Sequence, residues 1–366
     1  MNNRTVNVFV FGAGASFHVG LPLAKDLLIE GFNLLLETKY SVSSESFMKV
    51  ANFLDRLYGC EVEACIKNRA VVSERQLPSV SIEELLTFVE LGITNQETWL
   101  PFGNLRRALH DFIFETLDFR RIWGSLDSSL PWNAVSSNRR RNCYDVLVDN
   151  IINLKDENWL LSFNYDDFLD RAVAINEHGL LADYNLSFVS IENFPGYERI
   201  ASGKRTNEDL DILKLHGSIN WGRCDKCSEI GLAFHRKYRS YKQGVPSNRR
   251  TCNNCNSNIY PLLVPPIYRK QIENYGIDCL WDKAENALSR ANHITIVGYS
   301  FPEPDIEAKW LFKKSLIKND KKPTLTLVEP SPIVRNKVIG LFNKTIGTIS
   351  IFEDFESYCW EKYKSA

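Results

Sequence analysis

Several groups of residues in this 366-residue sequence have types and spacings that could do chemistry. The first is Gly12, Ala13 and Gly14 with Ser16, inside VNVFVFGAGASFHVGLPLAKDLL. A short apolar run enters two glycines and a serine and then turns amphipathic. Glycines permit a close backbone approach that a Cβ would block, and the free N–H groups of a helix N-terminus favour phosphate. A bare strand-to-helix turn uses the same residues, so both readings stay open at this point. Two phosphate-loop types are excluded. The third glycine of a dehydrogenase loop would fall at Phe17, and no second strand follows to carry its acidic residue. No Gly-Lys-Ser/Thr follows, so the loop is not of the Walker type.

Three further stretches place polar residues at strand ends. SFNYDDFLDRA carries Asn164 and Asp166, LKLHGSINW carries His216 and Gly217, and IVGYSFPEPD carries Gly298 and Ser300. An amide can hold a hydroxyl or a water. A carboxylate can supply negative charge or orient that amide. An imidazole, with an unperturbed pKa of about 6.5, accepts a proton at neutral pH. Each residue also has a plainer role: Asn164 as a helix cap, Asp166 as a first-turn acid, His216 as a hydrogen-bonded core histidine, Ser300 as a loop serine before Pro302.

The last group is Cys224, Cys227, Cys252 and Cys255, in CDKC and CNNC. Two such pairs match the knuckles of a four-cysteine zinc site, with redox pairs as the alternative. Four thiolates leave no open position for water, so the zinc would be structural, and His235 between the knuckles is surplus. The other five cysteines, Cys60, Cys65, Cys143, Cys279 and Cys359, read as small buried apolar residues.

The elements that must position these groups alternate. Val6 to Phe11 reads as a strand, and Pro22 opens a helix through about Leu36. Residues 40–155 read mostly as helices, among them SIEELLTFVELGI, with a capping box at Ser81 and Glu84, and NLRRALHDFIFETL; loops fall near Pro78 and around GSLDSSLPWN. Strand character returns in NWLLSF, followed by a helix from Asp166, and again in DILKLH. After a cysteine-bearing polar stretch, HITIVGYS, TLTLVEP and IGTISIF read as strands between helices. Such alternation implies a parallel sheet covered on both faces. The expected fold is α/β: a Rossmann-type parallel sheet with a helical insertion and a small four-cysteine zinc module. The sheet domain takes residues 1–39, 156–221 and 259–366, the insertion 40–155, and the module 222–258.

Composition bounds the rest. With 44% hydrophobic and 24% charged residues the chain is ordinarily globular. A net charge of -1 gives no global field toward nucleic acid or membrane, and the clusters Arg139-Arg140-Arg141 and Arg249-Arg250 read as solvated faces. No secretory leader or membrane-length apolar run is visible, so a soluble cytoplasmic protein is expected.

Taken in order, the Gly-Ala-Gly-x-Ser opening, Asn-x-Asp, His-Gly, the paired cysteines and the late Gly-x-Ser resemble the sirtuin superfamily over most of the chain except the insertion. The resemblance implies an NAD site. It places Gly12, Ala13, Gly14 and Ser16 at the pyrophosphate, Asn164 and Asp166 beside the nicotinamide ribose, His216 as base, and Gly298 and Ser300 near the adenosine. Glu329 is an adenine-ribose contact by position only. Two departures narrow the expectation. Where protein deacylases carry Gly-Ile-Pro-Asp-Phe-Arg this chain reads GLPLAKD, and YPLLVPPIYRK lacks the Phe-Gly-Glu of the acyl-lysine groove. The altered groove and the large insertion resemble the sirtuin-like effectors of prokaryotic anti-phage defence, which hydrolyse NAD. The expected activity is therefore an NAD glycohydrolase. An NAD-dependent protein deacylase or ADP-ribosyltransferase and a non-catalytic nucleotide sensor are the alternatives. The resemblance also implies a homo-oligomer and a separately encoded activator, such as a HerA-type translocase ATPase or an Argonaute-like protein, without direct nucleic-acid binding.

Overall fold

The computed structural model describes residues 4–37, 44–124, 141–152, 156–174, 182–188, 190–191, 210–224, 226–232, 250–252, 254–265, 276–342 and 344–363. Along the chain the strands are β1 (Val6–Phe11), β2 (Glu157–Ser162), β3 (Ala182–Asp183), β4 (Ser190–Ile191), β5 (Leu210–Lys214) and β6 (Gly217–Cys224). They continue as β7 (Ile230–Leu232), β8 (Arg250–Thr251), β9 (Asn258–Leu263), β10 (His293–Val297), β11 (Thr324–Val328) and β12 (Ile349–Phe352). A seven-stranded sheet has the order β12-β11-β10-β1-β2-β5-β3, with every pair parallel. β1 lies at its centre and is buried along its whole length, as a strand covered on both faces must be. From β1 the chain builds β2, β5 and β3 on one side and β10, β11 and β12 on the other. The order therefore reverses beside β1, and the carboxyl ends of β1, β2, β5 and β10 share one edge. Such a switch point is where open parallel sheets form ligand crevices.

The helices are α1 (Leu27–Glu37), α2 (Ser44–Tyr58), α3 (Val62–Lys67), α4 (Ile82–Thr94), α5 (Phe102–Gly124), α6 (Cys143–Ile152) and α7 (Phe168–Ala174). After the second sheet come α8 (Asp278–Arg290), α9 (Ile306–Lys318), α10 (Pro332–Phe342) and α11 (Phe355–Tyr363). Helices α2 to α6 fill the stretch between β1 and β2. Phe32 of α1, Phe47 of α2 and Phe112 of α5 form the aromatic centre of this layer, with ring centroids 5.0 and 4.5 Å apart. The Ser81 hydroxyl caps α4 by accepting the Glu84 N–H at 3.2 Å.

Two expectations change. Pro22 does not open the first helix. The glycine turn leads into a 3-10 stretch (Ala13–Val19), a second one follows (Ala24–Asp26), and α1 begins only at Leu27. Helix α8, absent from the sequence reading, packs through Leu280, Trp281, Ala284, Ala287 and Leu288. Residues 125–133 of the GSLDSSLPWN loop, and Arg139, Arg140 and Arg249 of the arginine clusters, lie outside the described residues.

A second, five-stranded sheet has the order β4-β7-β6-β9-β8. Its strand β6 starts at Gly217, the residue after His216, so the backbone leaving β5 runs directly into it. Among the described residues no helix is long and apolar enough to cross a membrane.

Candidate functional site

The site begins with an interlock of two turns. On leaving β1, the Gly12 N–H donates to the Val297 carbonyl and the Gly14 N–H to the Gly298 carbonyl, each at 3.0 Å. Gly12 is in extended backbone, so its φ does not require glycine. Space does: a Cβ there would lie 2.4 Å from the Tyr299 Cα. The partner turn is as tight. Gly298 sits at φ +58, in the left-handed region, and its Cβ would lie 2.3 Å from the Ala15 nitrogen. The close approach that the glycines permit is thus made to the end of β10. That leaves Ala13 and Phe17 as the exposed residues of the turn.

The residues after β2 bind this turn directly. The Asn164 Nδ2 donates to the Gly12 carbonyl at 2.8 Å and approaches the Ser16 Oγ at 3.4 Å. The Ser16 hydroxyl donates to the Asp166 Oδ2 at 2.8 Å and lies 2.8 Å from the Tyr144 hydroxyl. A serine has one proton to give, so with Asp166 ionised the chain runs Tyr144 to Ser16 to Asp166. The other oxygen, Oδ1, accepts the Phe168 N–H at 3.1 Å and starts α7. Burial holds the Asp166 carboxyl above the usual carboxylate range, against the opposing charge of Lys214. Burial, then the charge of Asp166, pushes the Tyr144 phenol well up, so it stays a donor.

Beneath this loop lies a fully buried cation. The Lys214 ammonium of β5 is 3.0 Å from the Asp170 Oδ2 and donates to the Asp166 main-chain carbonyl. The Tyr184 hydroxyl donates to the Asp170 Oδ1 at 2.7 Å. One lysine therefore ties the loop carrying Asn164 and Asp166 to the adjacent strand.

His216 follows β5 on the same edge. Its Nε2 is 3.0 Å from the Oδ2 of Asp305, and both side chains are buried. The same oxygen accepts the Tyr299 hydroxyl at 2.5 Å. The imidazole stands edge-on to Phe163 at 5.0 Å, and Phe163 stacks on Tyr299 at 4.2 Å. Tyr299 is the residue against which Gly12 packs, so the imidazole reaches the glycine turn through two aromatic rings. With Asp305 as acceptor, the neutral ring carries its proton on Nε2 and its lone pair on Nδ1.

Of the residues singled out by sequence, the structure gathers Gly12, Gly14, Ser16, Asn164, Asp166 and Gly298 by direct contact, with His216 joined through Phe163 and Tyr299. Ser300 is half-buried in the turn after Gly298. Glu329 follows β11 and turns to its own loop: its Oε1 accepts the Ser331 N–H at 3.0 Å, and burial raises its carboxyl. Three residues were missed. Asp305 looks like an ordinary helix cap, a role it also performs for Ala308. Tyr144 lies 128 residues from Ser16 with no local pattern to mark it. Lys214 did leave a signal, a positive charge at the end of the strand LDILK, whose residues are all buried.

The four paired cysteines converge, with sulfur atoms all within 4.8 Å of one another. Cys224 and Cys255 are 3.4 Å apart, Cys227 and Cys252 3.4 Å, and Cys227 and Cys255 3.7 Å. A tetrahedral zinc at a Zn–S distance of about 2.3 Å needs S···S separations of about 3.8 Å, so the set fits zinc with a small expansion. The two knuckles repeat one backbone design. The Ser228 N–H donates to the Cys224 carbonyl and the Asn256 N–H to the Cys252 carbonyl, at 2.9 and 2.8 Å. Both donors sit at positive φ, +61 and +57. His235 is outside the described residues.

No family model and no curated protein matches the sequence. Solved structures that are similar include a Sir2 bound to acetylated peptide and a Sir2 with p53 peptide and NAD+. Each is 13% identical, with 100% of this chain and 96% of the other covered and a TM-score of 0.44. A structure described as the basis for the mechanism and regulation of Sir2 enzymes is 14% identical, with 99% and 93% covered and a TM-score of 0.44.

Proposed function

We propose that this protein is an NAD glycohydrolase that releases nicotinamide and ADP-ribose and serves as an NAD-depleting effector in anti-phage defence. The observation that supports this best is that an amide and a carboxylate bind one turn at the switch point of a parallel sheet, with an acid-paired imidazole joined to that turn through Phe163 and Tyr299. Loss of the cationic nicotinamide leaves oxocarbenium-like positive charge on the ribose, as in glycoside cleavage. The residues of the turn and of the strand ends suit that chemistry. Gly12 to Ser16, with Gly298 and Ser300, would hold the dinucleotide. Asn164, fixed by the Gly12 carbonyl, would position a ribose hydroxyl or a water. Asp166, ionised, would supply negative charge beside the developing cation. His216 would take a proton from the nucleophile, and the buried Asp305 would stabilise the imidazolium that results. A general base of this kind contributes about 10²–10⁴-fold. Cys224, Cys227, Cys252 and Cys255 would hold a structural zinc that stabilises the second sheet.

The same site could serve a deacylase or ADP-ribosyltransferase, and the zinc module suits those equally. Against them stand GLPLAKD and the missing Phe-Gly-Glu stretch; the end of that groove segment, 266–270, lies outside the described residues. The test is one incubation with NAD, with and without an acetyl-lysine peptide, following nicotinamide. Release without peptide supports the hydrolase, and release only with peptide supports the deacylase. Tight binding without release supports a non-catalytic sensor. Asn164→Ala and His216→Ala should each abolish release while zinc content and folding persist. The defence role adds a homo-oligomer and a separately encoded activator, such as a HerA-type translocase ATPase or an Argonaute-like protein. Its test is cellular NAD after phage challenge, with the activator co-expressed. Undiminished NAD in those cells would overturn the role.

A further inference from the structure

Beside the glycine turn lies a thiol pair that the site chemistry does not use. Cys143 is the first residue of α6 and Cys359 lies on α11, with 6% and 5% of their surfaces exposed. The two helices pack together, and the Cys359 thiol donates to the Cys143 carbonyl at 3.5 Å. An imidazole is wedged between the same helices. His18 stands edge-on to Phe355, one turn before Cys359, at 5.5 Å, and against Tyr144, the neighbour of Cys143, at 5.8 Å.

The tautomer of His18 follows from its contacts. Its Nδ1 is 2.8 Å from the Ala15 carbonyl, which can only accept, so Nδ1 carries the hydrogen. The buried Nε2 then presents a lone pair and has no hydrogen-bond partner, and against burial the Cys143 thiol raises the imidazole's affinity for a proton. The hydrogen bond from Cys359 and the His18 imidazole outweigh burial and hold the Cys143 thiol down to about 6, while Cys359 is raised and keeps its proton. A low-pKa thiolate next to a protonated thiol is the arrangement of an attacking and a resolving cysteine.

We propose that Cys143 and Cys359 form a reversible disulfide in response to hydroperoxide, with His18 as the base that generates the Cys143 thiolate. The His18 Nε2 takes the Cys143 proton. The thiolate attacks the terminal oxygen of the peroxide, the O–O bond breaks, and the leaving oxygen takes that proton as water. Cys143 is then a sulfenic acid. The Cys359 sulfur attacks it, the S–O bond breaks, and hydroxide leaves with the Cys359 proton as a second water. Two thiols lose two electrons, and hydrogen peroxide is reduced to two waters. The bond would clamp α6 to α11 at the residue preceding Tyr144, and Tyr144 is the group that bonds Ser16.

The test needs no knowledge of the enzyme's substrate. Zinc-loaded full-length protein is treated with hydrogen peroxide, alkylated and mapped without reduction by mass spectrometry. The expected major product is a peptide crosslinked between Cys143 and Cys359 that dithiothreitol reverses. Cys359→Ser should replace it with a dimedone-reactive sulfenic acid at Cys143. His18→Asn should slow crosslinking about fivefold at pH 6, where a thiolate fraction set by a pKa near 6 is lost most steeply. The proposal is overturned if both cysteines of the wild-type chain remain alkylatable, or if Cys143 ends as a sulfinic acid with Cys359 free.

Discussion

Lys214 offers the sharpest test of how the candidate site is held. Its ammonium is fully buried, pairs with Asp170, and donates to the Asp166 carbonyl. Lys214→Met leaves the Asp170 carboxylate buried with the Tyr184 hydroxyl as its remaining described donor. Removing one partner of such a pair costs about 3–5 kcal/mol, because the other charge stays out of water. A chain of this length unfolds with an entropy of about 0.8 kcal/mol per kelvin, so about 4 kcal/mol lowers the melting midpoint by about 5 °C. Replacing both partners, Lys214→Met with Asp170→Leu, removes the stranded charge. What remains is the loss of the Asp170 acceptor by the Tyr184 hydroxyl and of the lysine donor by the Asp166 carbonyl, each worth about 1–3 kcal/mol at most. The double variant should therefore melt above the single Lys214→Met, although it carries one more substitution. Calorimetric melts of the two singles and the double give the coupling directly. A double variant melting as low as the sum of the singles would refute the pairing, and so would a shift below about 1 °C in Lys214→Met. On the proposed function, nicotinamide release supplies a second readout. The double variant regains stability but not the lysine bond to the Asp166 carbonyl, so its nicotinamide release should stay low.

Three more outcomes follow from the geometry. Gly298→Ala forces a Cβ against the Ala15 nitrogen at φ +58, and the left-handed backbone alone costs about 1–2 kcal/mol; a variant with an unchanged melting midpoint and nucleotide affinity would refute the interlocked turns. Burial raises the Asp111 carboxyl to about 6, against the Ser46 hydrogen bond. A carboxyl raised above its unfolded value of about 3.9 favours the folded state most below that pH, and the advantage is lost as pH rises through 6. Asp111→Asn should accordingly be up to about 3 kcal/mol more stable than wild type at pH 7 and no more stable at pH 4, as read from denaturant midpoints at the two pH values. Purified protein should carry one zinc per chain by elemental analysis. Cys252→Ser should lose it and deprotect the amides of β6 to β9 in hydrogen exchange, leaving β1 and β10 protected; full zinc retention would exclude the four-cysteine site.

What the sequence made legible, and what it hid, divides along one physical line. The strands HITIV and TLTLV announce themselves because a parallel strand covered on both faces reads as a run of apolar and β-branched residues, and Gly or Pro marks its ends. Ser81 with Glu84 announces a helix start because a cap acts within one turn. The paired cysteines work the same way, each knuckle being a five-residue device. The glycine turn was half legible. Two glycines show that something approaches closely, but whether it is a phosphate or another glycine turn depends on Gly298, far away along the chain. Helix starts were misplaced where the chain takes a 3-10 path, since Ala13–Val19 has no periodicity that separates it from the first turn of an α-helix. The misreadings at single residues share another cause: one side chain with two oxygens, or one burial state with two uses. Asp305 caps α9 with one oxygen and meets His216 and Tyr299 with the other, and the local role is the one a pattern reports. The cysteines show the same limit. Apolar burial was right for Cys65, Cys143 and Cys359, whereas Cys60 is half-buried and Cys279 exposed. Burial at 143 and 359 gave no sign that the Cys359 thiol meets the Cys143 carbonyl, 216 residues away in the chain. Residues whose second role is set by a distant partner are therefore the ones to examine first when a site is assigned from pattern, because the local role that explains them also conceals them.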